Sequence, residues 1–409
     1  MSVGLSPTSP SQRTAFNVAG SGQVGGNFST SGDFGADNNV WGTATTQDII
    51  ASSGYAPNWV LSGDFPINSV DELFSASDGT LYAGLASADN IARVYKSTDY
   101  GRNWTLTGGL GGARHVDGLA ESEGVIYAGT KENSNDNYNV FKYDPDTNTW
   151  ASTAPLLPTL SGGEGARYVT SLIAGSDGSI YAGTGSWDND GTVYRSDDAG
   201  ASWVETADLP GATQVYALLQ ASDGAIYAGT YSTFNGDIFK TTDKGLNWTL
   251  TTDIPNVIKV SSLIQADDGT IYAATYGDIP AEVIVYKTLN GGGTWVATGT
   301  QVPAGYNVNA LLQATDGAIY AASGDVYKTT NGGDTWVATG GGQVWIDAYS
   351  LVQADEGTIF AGTTAQGDIY MLQLAGLAAG DYSCPAGHFM KNIYKNNAGQ
   401  VYRLECRGL

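Results

Sequence analysis

The stretch Asp223-Gly-Ala-Ile-Tyr-Ala-Gly-Thr230 recurs along the chain with small variations, and no other feature restricts the fold so tightly. Its central aromatic falls at Tyr82, Tyr127, Tyr181, Tyr227, Tyr272, Tyr320 and Phe360, at intervals of 40 to 54 residues. A period of that length marks a solenoid or a propeller. Inside one period, alternating apolar residues split by turn residues predict four short strands: Val260-Ser-Ser-Leu-Ile, Thr270-Ile-Tyr-Ala-Ala, Val283-Ile-Val-Tyr-Lys and Thr294-Trp-Val-Ala-Thr. Four strands per period build a propeller blade, not a helical hairpin.

Each repeat also carries a Trp, at Trp59, Trp104, Trp150, Trp203, Trp248, Trp295 and Trp336. The Trp strands match the Tyr/Phe strands in number but run out of phase with them. Asn58-Trp-Val-Leu precedes any inner strand, and the last repeat stops at Asp368-Ile-Tyr-Met-Leu without a Trp strand of its own. The expected resolution is an all-β, seven-bladed ring whose final blade takes its outer strand from near residue 59 and its inner three from 346–373. Such a closure hides both sheet edges, which would otherwise template aggregation.

The turn before the Trp reads Ser97-Thr-Asp-Tyr-Gly-Arg-Asn-Trp104, Ser196-Asp-Asp-Ala-Gly-Ala-Ser-Trp203 and Thr241-Thr-Asp-Lys-Gly-Leu-Asn-Trp248, with Asn in place of Asp in Thr288-Leu-Asn-Gly-Gly-Gly-Thr-Trp295 and Thr329-Thr-Asn-Gly-Gly-Asp-Thr-Trp336. These turns resemble the Asp boxes (S-x-D-x-G-x-x-W) of the bacterial neuraminidase repeat, or sialidase-like, family. The side chains of Asp99, Asp198, Asp243, Asn290 and Asn331 are expected to accept backbone N–H bonds, the Gly to take a left-handed φ, and Trp104, Trp203, Trp248, Trp295 and Trp336 to bury their rings between blades. Two positions depart from the pattern: Asp144-Pro-Asp-Thr-Asn-Thr-Trp150 resembles a kelch-type turn, and Ser52-Ser-Gly-Tyr-Ala-Pro-Asn-Trp59 lacks the Asp. On this reading the Asp-box carboxylates are scaffold, not catalysts.

A single ring with tails accounts for 409 residues: an extended Gly/Ser-rich arm at 1–48, the propeller at 49–375, and a small appendage at 376–409. The arm has too few apolar residues to build a core of its own. It is either a disordered leader or a strand that docks on a partner. Net charge is −23, which argues against a nucleic-acid ligand held by phosphate neutralisation. No apolar run reaches the roughly 18 residues of a membrane span. The start, Met1-Ser-Val-Gly-Leu-Ser-Pro, lacks the basic and apolar regions of an ordinary signal peptide. Cys384 and Cys406, the only cysteines, fit one disulfide across a β-hairpin or stand as two free thiols. The disulfide would suit an oxidising setting.

Propeller ligands gather where the inner strands begin, because the preceding loops vary freely. Alignment on Leu73, Leu119, Leu172, Leu218, Leu263, Leu311 and Leu351 places a mixed rim just upstream: Asn68, Arg114, His115, Arg167, Tyr168, Gln214, Lys259, Tyr306, Asn307, Trp345 and Asp347. Trp187, Tyr231, Phe234 and Tyr276 are candidate platforms for sugar rings. Asp188-x-Asp190 is a weak calcium candidate. No cofactor and no other metal is expected.

The resemblance raises glycoside hydrolysis, which needs two carboxylates at fixed separation. Asp71, Glu72, Asp117 and Asp347 are candidates for the channel, but nothing in the sequence pairs them. The ring holds only five arginines (Arg93, Arg102, Arg114, Arg167, Arg195), and the Arg-Ile-Pro motif of sialidases is missing. Xyloglucanase-like relatives place their cleft between two rings, and the propeller factor of photosystem II assembly carries an Arg-rich patch. Neither feature is found. The expectation is a non-enzymatic structural or receptor-binding protein of a virion, such as a phage tail fibre or decoration, or of another extracellular particle. It would meet other subunits through the arm or appendage and bind a cell-surface glycan or protein through the top face. The alternatives are an exported bacterial glycan- or protein-binding protein and a glycoside hydrolase.

Overall fold

The computed structural model describes residues 58–65, 69–87, 89, 91–131, 140–154, 167–186, 191–232, 235–277, 285–299, 302, 307–339, 346–355, 357–364, 367–373, 388–395 and 401–408. Among them, strands follow one another as antiparallel meanders of four. After β1 (Asn58–Asp64) come β2 (Ser69–Ser75), β3 (Leu81–Ala86), β4 (Ile91–Ser97) and β5 (Thr105–Gly111), then β6 (His115–Ser122), β7 (Val125–Lys131), β8 (Val140–Asp144) and β9 (Thr149–Ser152). The pattern continues through β10 (Arg167–Ala174), β11 (Ile180–Ser186), β12 (Val193–Ser196) and β13 (Val204–Glu205), and through β14 (Gln214–Gln220), β15 (Ile226–Tyr231), β16 (Ile238–Thr241) and β17 (Thr249–Leu250). Next are β18 (Val257–Gln265), β19 (Ile271–Gly277), β20 (Val285–Thr288) and β21 (Val296–Ala297), then β22 (Ala310–Gln313), β23 (Ile319–Ser323), β24 (Asp325–Thr329) and β25 (Val337–Ala338). The last meander, β26 (Ala348–Gln353), β27 (Ile359–Thr363) and β28 (Asp368–Gln373), has only three strands of its own, and β1 pairs with β28 to complete it.

The first strand of each meander packs on the first two of the meander before it: β6 on β2 and β3, β10 on β6 and β7, and so on to β26 on β22 and β23. β2 then packs on β26 and β27, so the circuit closes on itself. The core consists of the seams between adjacent sheets. Tyr181, Val193 and Leu209 of one sheet, for instance, cluster with Val215, Ile226 and Phe239 of the next. The Gly of the recurring Tyr-Ala-Gly faces the Val that leads the following inner strand. A Cβ added at Gly84, Gly129, Gly183, Gly229 or Gly362 would come within 3.0 Å of Val116, Val169, Val215, Val260 or Val70 respectively.

A second contact repeats at the outer end of five seams. Trp248 Nε1 donates to Thr206 Oγ1 at 3.0 Å, and Thr206 Oγ1 donates to the Val193 carbonyl at 2.9 Å. Trp150–Thr107, Trp203–Thr153, Trp295–Thr251 and Trp59–Thr339 repeat the indole-to-threonine bond at 2.9 to 3.3 Å. Trp59 belongs to β1, so this bond ties the start of the ring to the sheet that precedes its end. Trp104 Nε1 in turn reaches Ser62 Oγ of β1 at 3.4 Å.

The turns ahead of these Trp residues share one hydrogen-bond set. At Thr241–Trp248, Thr241 Oγ1 donates to Asp243 Oδ1 (2.7 Å), Gly245 N to Thr241 Oγ1 (3.0 Å) and Asn247 N to Asp243 Oδ1 (2.9 Å). The same bonds form around Asp99, Asp198, Asn290 and Asn331. Lys244 and Gly245 both take left-handed φ, 61° and 84°, and a side chain at Gly245 would also strike Thr206. The divergent turn at 144–150 is built differently: Asp144 accepts from Asp146 N and Thr147 Oγ1, and Asn148 takes the positive φ.

β29 (His388–Lys395) and β30 (Val401–Gly408) form a separate two-stranded antiparallel hairpin in a second compact unit. Cys384 and the arm at 1–48 lie outside the described residues, and Cys406 is described only through the pairing of β30. Among the described residues no helix is long and apolar enough to cross a membrane. Removal of the indole by Trp248→Ala is expected to lower stability by about 3 kcal/mol, and Thr206→Val, which strands the indole N–H, by about 1–2 kcal/mol. Urea denaturation checks both. Unchanged midpoints would remove the Trp–Thr contact from the forces that hold the ring.

Candidate functional site

Six of the seven inner strands carry an irregularity at a matching register position. The pairing of β2 with β3 skips Asp71, that of β6 with β7 skips Asp117, and Thr170, Tyr216, Ser261 and Tyr349 are skipped in β10, β14, β18 and β26. Asn309 holds the matching place just ahead of β22. A bulge lets its extra residue leave the ladder and re-aims the side chain. These residues line one cavity of about 260 Å³, together with Glu72 and Lys259, so every sheet contributes to its wall.

Charge collects on one side of this channel. Asp71 is buried, with Ser69 Oγ 2.6 Å from its Oδ1 and His115 Nδ1 2.8 Å from its Oδ2. The bond from Asp71 raises the His115 pKa against the opposing effect of burial. Burial, then the charges of Asp117 and Asp71, pushes the Glu72 carboxyl up to about 8. Asp117 is also raised, first by burial and then by Asp71, while His115, Lys131 and Lys259 pull it the other way. Donor atoms of Asp71, His115 and Asp117 all lie within 4.8 Å of one another.

Opposite in sign, Lys259 is brought down to about 8 by burial, against the pull of Asp117. Its Nζ sits 3.7 Å from the centroid of the Tyr216 ring, a cation–π contact. Tyr231 meets Tyr216 edge-on at 6.2 Å. Burial raises the Tyr216 and Tyr349 phenols above their usual range, so both remain neutral donors at neutral pH.

Of the rim expected from sequence, His115 and Lys259 enter this cluster. Tyr168 is buried beneath Lys131, whose Nζ lies 4.6 Å from its ring centroid. The Gln214 side-chain oxygen is buried without a hydrogen-bond partner among the described residues. Asp347 is exposed and accepts from Thr364 Oγ1, outside the cavity wall. Arg114 is tied by its backbone to Lys131 and Ser87, Arg167 opens β10, and Asn307 is partly buried ahead of β22. Tyr276 is exposed. Asn68, Trp187, Asp188, Asp190, Phe234, Tyr306 and Trp345 lie outside the described residues. Asp71, Glu72 and Asp117, weighed as channel carboxylates, are brought together; Thr170, Tyr216, Ser261, Asn309 and Tyr349 were missed. The available signal was the recurrence Val-x-x-Leu in the inner strands, as in Val70-Asp-Glu-Leu73 and Val215-Tyr-Ala-Leu218, whose first variable residue is the bulge.

No protein-family model matches the chain, and no curated protein matches it by sequence. Solved structures do. Virginiamycin B lyase from Staphylococcus aureus superposes with a TM-score of 0.59 at 15% identity, over 78% of this chain and 99% of that one. YCF48 bound to a D1 peptide gives 0.56 at 15% identity, over 78% and 97%. The WD40 β-propeller domain of Doa1 gives 0.54 at 15% identity, over 78% and 97%. A lyase, a peptide-bound protein and a WD40 domain share little but their architecture, and at such identities the likeness extends to the fold alone: the chain is an all-β propeller of four-stranded antiparallel sheets.

Proposed function

We propose that this chain is a seven-bladed Asp-box propeller that acts as a non-enzymatic structural and receptor-binding component of a virion or another extracellular particle. It takes a cell-surface glycan or protein at the channel mouth where the inner strands begin. The observation that carries this reading is the contrast between a repeated scaffold and an individual channel. Turns, Trp–Thr seams and Val–Gly contacts recur from sheet to sheet, whereas the channel-facing position changes through Asp71, Asp117, Thr170, Tyr216, Ser261, Asn309 and Tyr349. A wall with carboxylates on one arc and a lysine on a tyrosine face on another offers an asymmetric set of hydrogen bonds and stacking surfaces, as a specific ligand site requires. Blade count, the Asp-box assignment, a Cys384–Cys406 disulfide and subunit contacts through arm and appendage belong to the same proposal.

Glycan-array and cell-surface binding by the full chain tests it. Tyr216→Ala and Lys259→Ala are each expected to weaken capture about tenfold, or roughly 1.4 kcal/mol, with little change in melting temperature. Capture unaffected by either variant would displace the ligand site from the channel. Glu72 favours one second reading, hydrolysis, because a carboxyl that keeps its proton near neutral pH suits a general acid. Sugar release abolished by Glu72→Gln would replace binding with catalysis.

The same group sets a pH response. Folded Glu72 holds its proton to about 8, whereas its unperturbed value is 4.5, so between these values the folded chain binds more protons and stability falls as pH rises. Glu72→Gln is expected to flatten that decline in urea midpoints across the window. An unaltered slope would show that Glu72 ionises normally in the fold.

A further inference from the structure

The arrangement of Asp71, His115 and Asp117 goes beyond a binding mouth. Their donor atoms lie within 4.8 Å of one another, and they come from two adjacent sheets, fixed by successive inner strands. His115 Nδ1 and Asp71 Oδ2 are 2.8 Å apart. Two donors each about 2.1 Å from one tetrahedral cation stand about 3.4 Å apart, so a small opening of this hydrogen-bonded pair gives the spacing of neighbouring ligands. Asp71 and Asp117 are both bulge residues, which turns their carboxylates out of the ladder and into the channel. Ser69 Oγ holds Asp71 from the other oxygen, an outer contact of the kind that orients metal ligands. Glu72 adds a third carboxyl, and Lys259 and Lys131 are the cations facing Asp117.

We propose that Asp71, His115 and Asp117 bind one divalent transition-metal ion of the zinc class in the channel. One imidazole nitrogen with two carboxylate oxygens suits such an ion better than calcium or magnesium, which take oxygen ligands throughout. Three protein ligands leave a position open to the channel, where water or an oxygen of a bound molecule completes the shell.

The test uses the full chain, stripped with EDTA and desalted, then titrated calorimetrically with ZnCl2 and, separately, with CaCl2 and MgCl2. Zinc is expected to bind at one ion per chain and to raise the melting temperature, with calcium and magnesium giving neither effect. His115→Gln and Asp117→Asn are each expected to lower zinc affinity at least tenfold. A triple variant of the tail, Cys384→Ser, Cys406→Ser and His388→Gln, is expected to retain it. Absence of stoichiometric binding, or binding lost in the tail variant and kept in the channel variants, overturns the proposal. Should the channel variants not fold, crystals of the unaltered chain grown with zinc decide the matter: anomalous density between Asp71, His115 and Asp117 sustains the site, and its absence there removes it.

Discussion

The distance at which one sheet rests on the next is set by a valine pressed against a glycine. With a side chain at Gly84 or Gly229, the Val116 or Val260 methyls would overlap it, so the sheets would part. Packed interiors tolerate such changes poorly, because strain cannot be diluted across a close-packed seam. Two seams use another solution. In one, Ala274 shares a buried cluster with Val308, and in the other Ala322 shares one with Ala348, a smaller residue in the place of Val. The channel depends on the same contact. The Val that docks on glycine is followed immediately by the bulge residue, so the element that spaces the sheets also delivers a side chain to the axis.

The outer strands show how the ring manages its exposed edges. β13, β17, β21 and β25 are each two residues long, and short edge strands give another chain little to pair with. Their short ladders are supplemented by side-chain bonds: the indole donors of Trp203, Trp248 and Trp295 beside β13, β17 and β21, and the turn ahead of each Trp. That economy makes the turn chemistry decisive. Thr241, Asp243 and Gly245 satisfy one another's polar groups within a few residues, and the Trp that follows is thereby aimed at the neighbouring sheet.

Much of this could be read in the residues. The recurrence of Tyr-Ala-Gly and of Trp predicted the strands and their phase, and the unmatched Trp59 predicted that β1 would complete the last sheet. The channel was less legible. Upstream positions such as Arg114, Gln214 and Asp347 were expected at the rim because the loops before the inner strands vary freely; within a regular strand, facing alternates strictly. A bulge breaks that alternation by one residue, and it leaves no mark in composition. His115 and Lys259 were found because their side chains are long enough to reach the cluster from the strand ends. Tyr216 and Tyr349 were missed because they look like any aromatic of a β-strand until the register is known.

One seam differs from its fellows. Among the described residues, the Trp336 indole nitrogen and the Thr298 hydroxyl have no hydrogen-bond partner, although they hold the positions that are joined elsewhere round the ring. Trp59 and Thr339, by contrast, are joined where the two ends of the chain meet. The Trp336 seam is held in other ways: the Trp336 ring is buried in one apolar cluster with Val302, Val308 and Leu311, and Lys287 Nζ donates across it to the Gly332 carbonyl at 2.7 Å, so the indole there serves as apolar filling and not as a donor.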